Sequence, residues 1–523
     1  MDLMFELAIF NWLRQKDTKF LTVTYNICHQ KLPLKTQIQT KIFPLSFFFL
    51  TFFFIFSNPQ TSPQIPAMET TSAVHVVALP YPGRGHINPM MNLCKLLASS
   101  DDSLLITFVV TEEWLGFIGS TPTPPNIRLR SIPNVIPSEL VRGADFSRFI
   151  EAVYTKMEAP FERLLEGLEP KVSCIVADTY MPWAVAVGRR WNVAVASLWT
   201  MAPSMFSILY HFELLNSNGH FPIFDLSGER GEELVNYIPG ISSIRLADLP
   251  GLVGEAVLGR ALEAISFSTE SHCLLFTAFY ELENHVIDSL RAKFRIPIYH
   301  VGPTIPYVTP QDMPSKDHPN VDHFGWLDGQ PKGSVLYVSL GSFLSVSGSQ
   351  MDEIAIGLKA SGVRFLWVAR GEAARLQEVG GDMGLVVTWC DQLRVLCHSS
   401  VGGFLTHCGW NSIMESVYAG VPMLTFPIFW DQIPNAKLIV EDWKTGLRLK
   451  KEIGNKNLVQ GQEIAQTVKR LMDLDGDESR ELRRRAREMK ESCERAIEKG
   501  GSSETNLRAF VKEIVQGQKN QSN

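Results

Sequence analysis

The chain carries no strong excess of charge, no closely paired cysteines and no apolar run long enough to span a bilayer. Lys and Arg number 49 against 55 Asp and Glu, a net charge of −6. With no basic arm and no aromatic–basic stripe, this balance argues against a nucleic-acid partner. The eight cysteines are scattered. Cys390, Cys397 and Cys408 lack CxxC spacing, so neither a zinc site nor a redox pair is indicated. Reduced thiols in a cytoplasmic protein fit best. A third glycine is also missing: Gly83-Arg84-Gly85 is followed by His86-Ile87-Asn88, which is not a dinucleotide fingerprint. What is present is a globular composition, 45% hydrophobic and 20% charged over 523 residues, enough for two or three domains.

Residues 1–67 look foreign to the rest. Their apolar run, 42–56, follows Lys31, Lys35 and Lys41 and is shorter than the ~20 residues a membrane span needs. It can be read as a signal peptide with an overlong leader, as a marginal anchor, or as translated upstream sequence with the start at Met68. The third is preferred, because Met68-Glu69-Thr70-Thr71 leads directly into the first strand. No membrane partner is then expected unless residues 42–56 are retained, and a monomer is expected.

From there strands and helices alternate, the pattern of a doubly wound α/β sheet. Strands are predicted at 73–79, 104–110, 127–132, 174–177, 193–198 and 274–278, with helices including 149–166 and 181–191. After the first strand comes a glycine turn containing His86. Asn88 is a good N-cap and Pro89 a good first helical residue. Asp178 and Thr200 follow later strands, at the carboxyl ends where ligands bind in such sheets. Residues 304–330 read as a linker. A second α/β half follows, with strands at 334–339, 365–368, 385–388, 403–406 and 423–426 and a helix at 349–361. Residues 477–499 read as a solvated helix. The last helix, 503–518, aligns Leu507, Phe510, Val511, Ile514 and Val515 on one face.

The chemistry concentrates in Trp389 to Gln432, which reads WCDQLRVLCHSSVGGFLTHCGWNSIMESVYAGVPMLTFPIFWDQ. A buried strand at 403–406 runs into a tight turn and then a helical pattern stopped by Gly420-Val421-Pro422. A helix N-terminus offers free N–H groups and a partial positive charge, and so accepts phosphate. Asn411, Ser412 and His407 add side-chain donors. Glu415 shares the face of Asn411 and Ser412, and a carboxylate there suits a sugar diol. Trp389 offers a flat face for a base, while Asp431 and Gln432 can bind hydroxyls. Together these describe a nucleotide-sugar site. Singly, any of them could be structural: Trp410 reads equally as core, and His407 as a turn histidine.

The stretch resembles the donor-binding box of the plant UDP-sugar-dependent glycosyltransferases that act on small molecules. The resemblance extends over residues 68–518 and rests above all on His407-Cys408-Gly409-Trp410-Asn411-Ser412 with Glu415. It implies a GT-B fold: two doubly wound, Rossmann-like domains facing across a cleft. These would be an acceptor domain, 68–303, and a UDP-sugar domain, 331–502, with the helix 503–518 crossing back onto the first. By the resemblance Trp389 stacks on uracil, Gln392 touches the nucleoside and Glu415 holds the ribose. His407, Asn411 and Ser412, with Trp410 among them, bind the diphosphate, and Asp431 and Gln432 the hexose. Ser342 and Thr200 would touch donor sugar or phosphate. Gln432 goes with glucose. Cys390-Asp391 and Phe426 depart from the family's usual residues.

Glycosyl transfer needs a base for the acceptor hydroxyl, a stabilised leaving group and exclusion of water. His86 is the candidate base, since its ordinary pKa is near neutral. The resemblance pairs it with Asp178. A UDP-sugar serves as co-substrate, with no cofactor or metal expected. The acceptor would be a small hydroxylated or carboxylated metabolite, held by loops such as 133–146 and 201–224, with Phe206, Tyr210, His211 and Phe212 as a possible aromatic wall or as core. Two other readings stand beside this one: an NAD-linked oxidoreductase on a similar sheet, and a nucleotide-sugar-binding protein without turnover.

Overall fold

A computed structural model describes residues 74–521 except 144, 222–227, 251–254, 307–321, 342–345 and 450–457. The apolar run at 42–56, the start at Met68 and Ser342 therefore lie outside the described residues.

Two parallel sheets organise the chain. The first has the order β3-β2-β1-β4-β5-β8-β9: Ile127–Ile132, Leu104–Thr111, Val74–Leu79, Cys174–Asp178, Ala194–Trp199, Cys273–Phe276 and Ile298–His300. The second has the order β12-β11-β10-β13-β14-β15: Gly384–Val387, Arg364–Val368, Val335–Ser339, Val401–Thr406, Met423–Thr425 and Gly446–Arg448. A small antiparallel pair, β6 (Leu234–Val235) and β7 (Ile244–Arg245), stands apart. The central strands are buried along almost their whole length, as parallel strands covered on both faces must be. In each sheet the order reverses beside the first strand, at β1/β4 and at β10/β13. Such a switch point opens a crevice at the carboxyl ends.

Several local expectations are corrected. The first helix begins at Arg84, not at Pro89, and Gly83 rather than Asn88 precedes it. Pro89 sits inside the helix. The predicted helix 149–166 is two helices, Phe146–Lys156 and Glu158–Glu166. Pro160 explains the break, because it lacks the N–H that would continue the ladder to Lys156. The edge strands β9 and β15 were not expected, and 304–330 contains the helix His323–Asp328.

The two lobes share one apolar core. A single cluster runs from Phe206, Phe276 and Leu290 on the first sheet's side to Phe404, Val417 and Ala496 on the second's. The helix Ser502–Gln521 packs Phe510, Val511 and Ile514 into the first lobe's core beside Val74, Val76 and Leu97. Each such burial is worth roughly 1.5–3 kcal/mol. Charge also joins the lobes. Nearly buried Asp248 takes Arg245 and Arg448 at 2.7 Å each, and Glu441 takes both at 3.1–3.3 Å. Lys437, the last residue of the helix Gln432–Lys437, bonds Asp442 at 2.7 Å and Ser242 across the seam.

Candidate active site

Between the lobes lies a cleft of about 700 Å³ at the carboxyl ends of both sheets. Neighbouring strands deliver its first wall. His86 follows β1, Asp178 ends β4 and Thr200 follows β5, and these three strands are adjacent. His86 Nδ1 is 2.8 Å from Asp178 Oδ2 and 2.9 Å from Thr200 Oγ1. A carboxylate only accepts, so Nδ1 carries the proton and Nε2 the lone pair. Asp178 is 2% exposed, and its Oδ1 accepts from the Tyr180 N–H at 3.0 Å. It is therefore no helix cap: the next helix starts at Trp183. Thr200, expected against the donor, lines the cleft, and its hydroxyl lies against His86.

The second wall comes from the ends of β10 to β14. Trp389 is 47% exposed, with its indole open to the cleft. Gln392 is held on three sides: its Nε2 donates to Ser412 Oγ at 3.0 Å and Glu415 Oε2 at 2.8 Å, and its Oε1 accepts from Tyr337 at 3.2 Å. Glu415 is half-buried, and loss of hydration in the cleft wall raises its carboxyl to about 7. Asp431 is raised to about 7 for the same reason and accepts from Asn435 at 3.0 Å. Gln432 Oε1 accepts from the N–H groups of Ile428 and Phe429, which shapes the loop and leaves its amide N–H₂ as donor. Trp430 in that loop has φ 53°.

The turn before the helix Trp410–Ala419 draws its conformation from Cys408 and its space from Gly409. The left-handed residue is Cys408, φ 65°, while Gly409 has an ordinary φ of −66°. Gly409 is needed for space: a Cβ there would lie 2.5 Å from His407 Nε2, and one at Gly341 would lie 2.6 Å away. His407 thus sits enclosed between two glycines, and burial lowers its pKa to about 4. It is therefore neutral near pH 7 and can offer a hydrogen bond but no charge. Trp410 is buried near Trp443. Asn411 reaches across the cleft to the Gly85 carbonyl at 2.9 Å. Of the departures from the usual box, Cys390 is buried against Tyr337, and Asp391 caps the helix Gln392–Leu396.

Sequence reasoning missed several cleft residues. Arg370 follows β11 and lies near Arg84 of the other lobe; burial first, then Arg84, lowers its pKa. Arg142 is buried, donates to the Pro82 carbonyl at 3.1 Å and pairs with Glu139 at 3.0 Å. Tyr81, Tyr154 and Tyr180 form the aromatic floor, and Phe146 meets Phe429 across the cleft. Only position after a strand end could have flagged Arg370. Of the two readings given for Phe206, Tyr210, His211 and Phe212, an aromatic wall or core, packing within the lobe is the one observed, and none of the four lines the cleft. Phe206 packs on Trp199 and Phe276, and Tyr210 on Phe294. Among the described residues no group of three His, Cys, Asp or Glu could hold a metal ion, and no helix is long and apolar enough to cross a membrane.

Comparison with known proteins agrees with this geometry. Residues 287–470 match the family model described as UDP-glucoronosyl and UDP-glucosyl transferase. UDP-glycosyltransferase 87A2 of Arabidopsis thaliana is 52% identical over 446 residues, 84% of this chain and 97% of that protein. UDP-glycosyltransferase 87A1 of the same plant is 49% identical, covering 84% and 99%. Among solved structures, Medicago truncatula UGT71G1 complexed with UDP-glucose superposes with a TM-score of 0.70 at 30% identity, covering 84% of this chain and 98% of that one. Phytolacca americana UGT2, complexed with UDP-2fluoro-glucose and pterostilbene, gives 0.71 at 28%, covering 84% and 99%.

Proposed function

The chain belongs to the UDP-glucoronosyl and UDP-glucosyl transferase family, and from that premise we propose that it moves glucose from UDP-glucose to a hydroxyl or carboxyl of a small plant metabolite, with inversion and with His86 as general base. Transfer of a glycosyl group from a UDP-sugar follows from the family, which sets aside the NAD-linked alternative. The observation that carries the rest is the 2.8 Å bond between His86 Nδ1 and buried Asp178, opposite the N-terminus of the helix Trp410–Ala419.

Asp178 keeps the proton on Nδ1 and stabilises the imidazolium that forms. Nε2 takes the acceptor's proton as its oxygen attacks the anomeric carbon. The bond from that carbon to the diphosphate breaks, and UDP leaves with the electron pair. Free N–H groups at the helix start, with Asn411 and Ser412, meet its charge. Attack opposite the departing group turns an α-linked donor into a β-glucoside. Trp389 stacks on uracil, Glu415 holds the ribose, and Asp431 and Gln432 hold the hexose. Beyond the UDP-sugar as co-substrate, the scheme uses no cofactor. Two solved relatives hold glucose-type UDP donors, which supports glucose here. The floor of Tyr81, Tyr154 and Tyr180 supports an acceptor with a flat apolar ring.

The test is to incubate the full chain with UDP-glucose, UDP-galactose and UDP-xylose against a panel of plant phenols, acids and terpenols, reading products by mass. A gain of one hexose from UDP-glucose alone is expected. UDP binding with neither transfer nor donor hydrolysis would favour the non-catalytic alternative. Preference for another donor would sink the glucose assignment.

A further inference from the structure

The proline inside the helix Arg84–Ser100 has a consequence on the far side of the cleft. In an α-helix the Gly85 carbonyl accepts from the N–H of residue 89. Pro89 has no N–H, and its ring crowds that carbonyl. The carbonyl accepts from Asn411 Nδ2 instead, at 2.9 Å, a bond between the two lobes. Asn411 is the second residue of the helix Trp410–Ala419, where the diphosphate is expected. Gly85 immediately precedes His86. The turn is held from its own lobe by the His86 and Ile87 N–H groups on the Gly83 carbonyl, at 2.9 Å each, and by His86 Nδ1 on Asp178 and Thr200, while Gly85 itself has no side chain to anchor. Arg142 grips the loop one step earlier, through the Pro82 carbonyl at 3.1 Å.

We propose that Pro89 is a positioning residue for glycosyl transfer: by withholding an N–H, it reserves the Gly85 carbonyl for Asn411 and so ties the His86 loop to the donor diphosphate. An asparagine amide has two N–H donors. One on Gly85 leaves the other for a phosphate oxygen, so a single planar group bridges donor and base loop. Donor binding fixes the amide, the amide fixes Gly85, and His86 is set at the acceptor hydroxyl. A misplacement of ~1 Å at such a site can cost about 10²-fold in rate. The inference rests on the readings of His86 as base and Asn411 as diphosphate ligand.

Pro89→Ala restores the N–H and draws the carbonyl back into its own helix, which alanine also favours. The variant is assayed with UDP-glucose and whichever acceptor the wild-type full chain turns over fastest in the panel above. Expected are a kcat reduced about tenfold, UDP affinity by calorimetry within about twofold of wild type, and a thermal midpoint equal or higher. The double variant Pro89→Ala/Asn411→Ala should be no slower than Asn411→Ala alone. An unchanged kcat, multiplicative losses in the double variant, or a loss of UDP affinity as large as the loss of kcat would each overturn the proposal. If Pro89→Ala folds poorly, Pro89→Ser restores the same N–H and must give the same pattern. His86→Ala is the control. If it retains turnover, the base assignment fails; if it is inactive while Pro89→Ala is wild-type, the positioning role alone fails.

Discussion

The two walls of the cleft are built by opposite means. The wall proposed to hold the donor comes mostly from one stretch, Trp389 to Gln432, in which strand, turn and helix follow one another along the chain. The opposite wall, proposed to hold the acceptor, is gathered from segments around residues 81–86, 142–154, 178–180, 200 and 257–261. Sheet order alone brings those segments together. A contiguous wall tolerates change only as a unit, because Gln392, Ser412 and Glu415 hold one another. A gathered wall can change one segment at a time, which suits the side that must accommodate different acceptors.

The sharpest way to separate the walls is to remove His86. His86→Ala should lose about 10²–10⁴-fold in kcat while calorimetric UDP binding stays intact. A parallel loss of UDP binding would mean that the walls are not independent. Asp178→Asn should fall in the same direction, since an amide no longer stabilises the imidazolium.

Breaking the donor wall should show in affinity rather than in chemistry. Glu415→Gln replaces a charged acceptor for the ribose diol and should raise KM for UDP-glucose roughly 10- to 100-fold. The same residue sharpens the comparison by pH. Burial lifts Glu415 and Asp431 to about 7, whereas carboxyls in an unfolded chain titrate near 4. Between those values the native state binds more protons than the unfolded state. The stability from this term is thus full at low pH and is lost as pH rises through about 7. Donor affinity should run the other way, because in the proposed scheme it is the ionised Glu415 that holds the ribose. Thermal midpoints without donor should fall from pH 6 to 8 through these groups while UDP affinity rises, and Glu415→Gln should flatten the affinity slope.

A smaller effect is expected at Gln432. Gln432→Ala frees the N–H groups of Ile428 and Phe429 and should lower kcat/KM for UDP-glucose about tenfold, the worth of about one hydrogen bond, with weaker discrimination against UDP-galactose. Smallest in turnover is Asp248→Ala, remote from both walls. It should cost about 2 kcal/mol in denaturant unfolding, since Arg245 and Arg448 lose their buried partner but keep Glu441, with kcat changed less than about twofold.

The same contrast explains what could be read from the chain. The GT-B architecture was legible because central parallel strands are continuous apolar runs, as at Val74–Leu79 and Val335–Ser339. The edge strands Ile298–His300 and Gly446–Arg448 were not, because three residues carry no period. The helix start at Arg84 was missed because a proline within a helix looks like a proline that begins one. The donor wall could be read as a string of residue types. On the acceptor side only His86, Asp178 and Thr200 stood out, by their place after strands. Arg142, Tyr154 and Tyr180 required the topology first.

The apolar cluster that passes unbroken from Phe206 and Phe276 to Phe404 and Val417 bears on how such a protein can be recombined. Halves that share one interior are not interchangeable cartridges. A chimera joined in the linker, taking its acceptor half from one relative and its donor half from another, inherits a seam whose two faces were never fitted together. Swapping the seam residues as a set along with the half they face would preserve that fit, and would let acceptor choice be transplanted without exposing the greasy middle of the molecule.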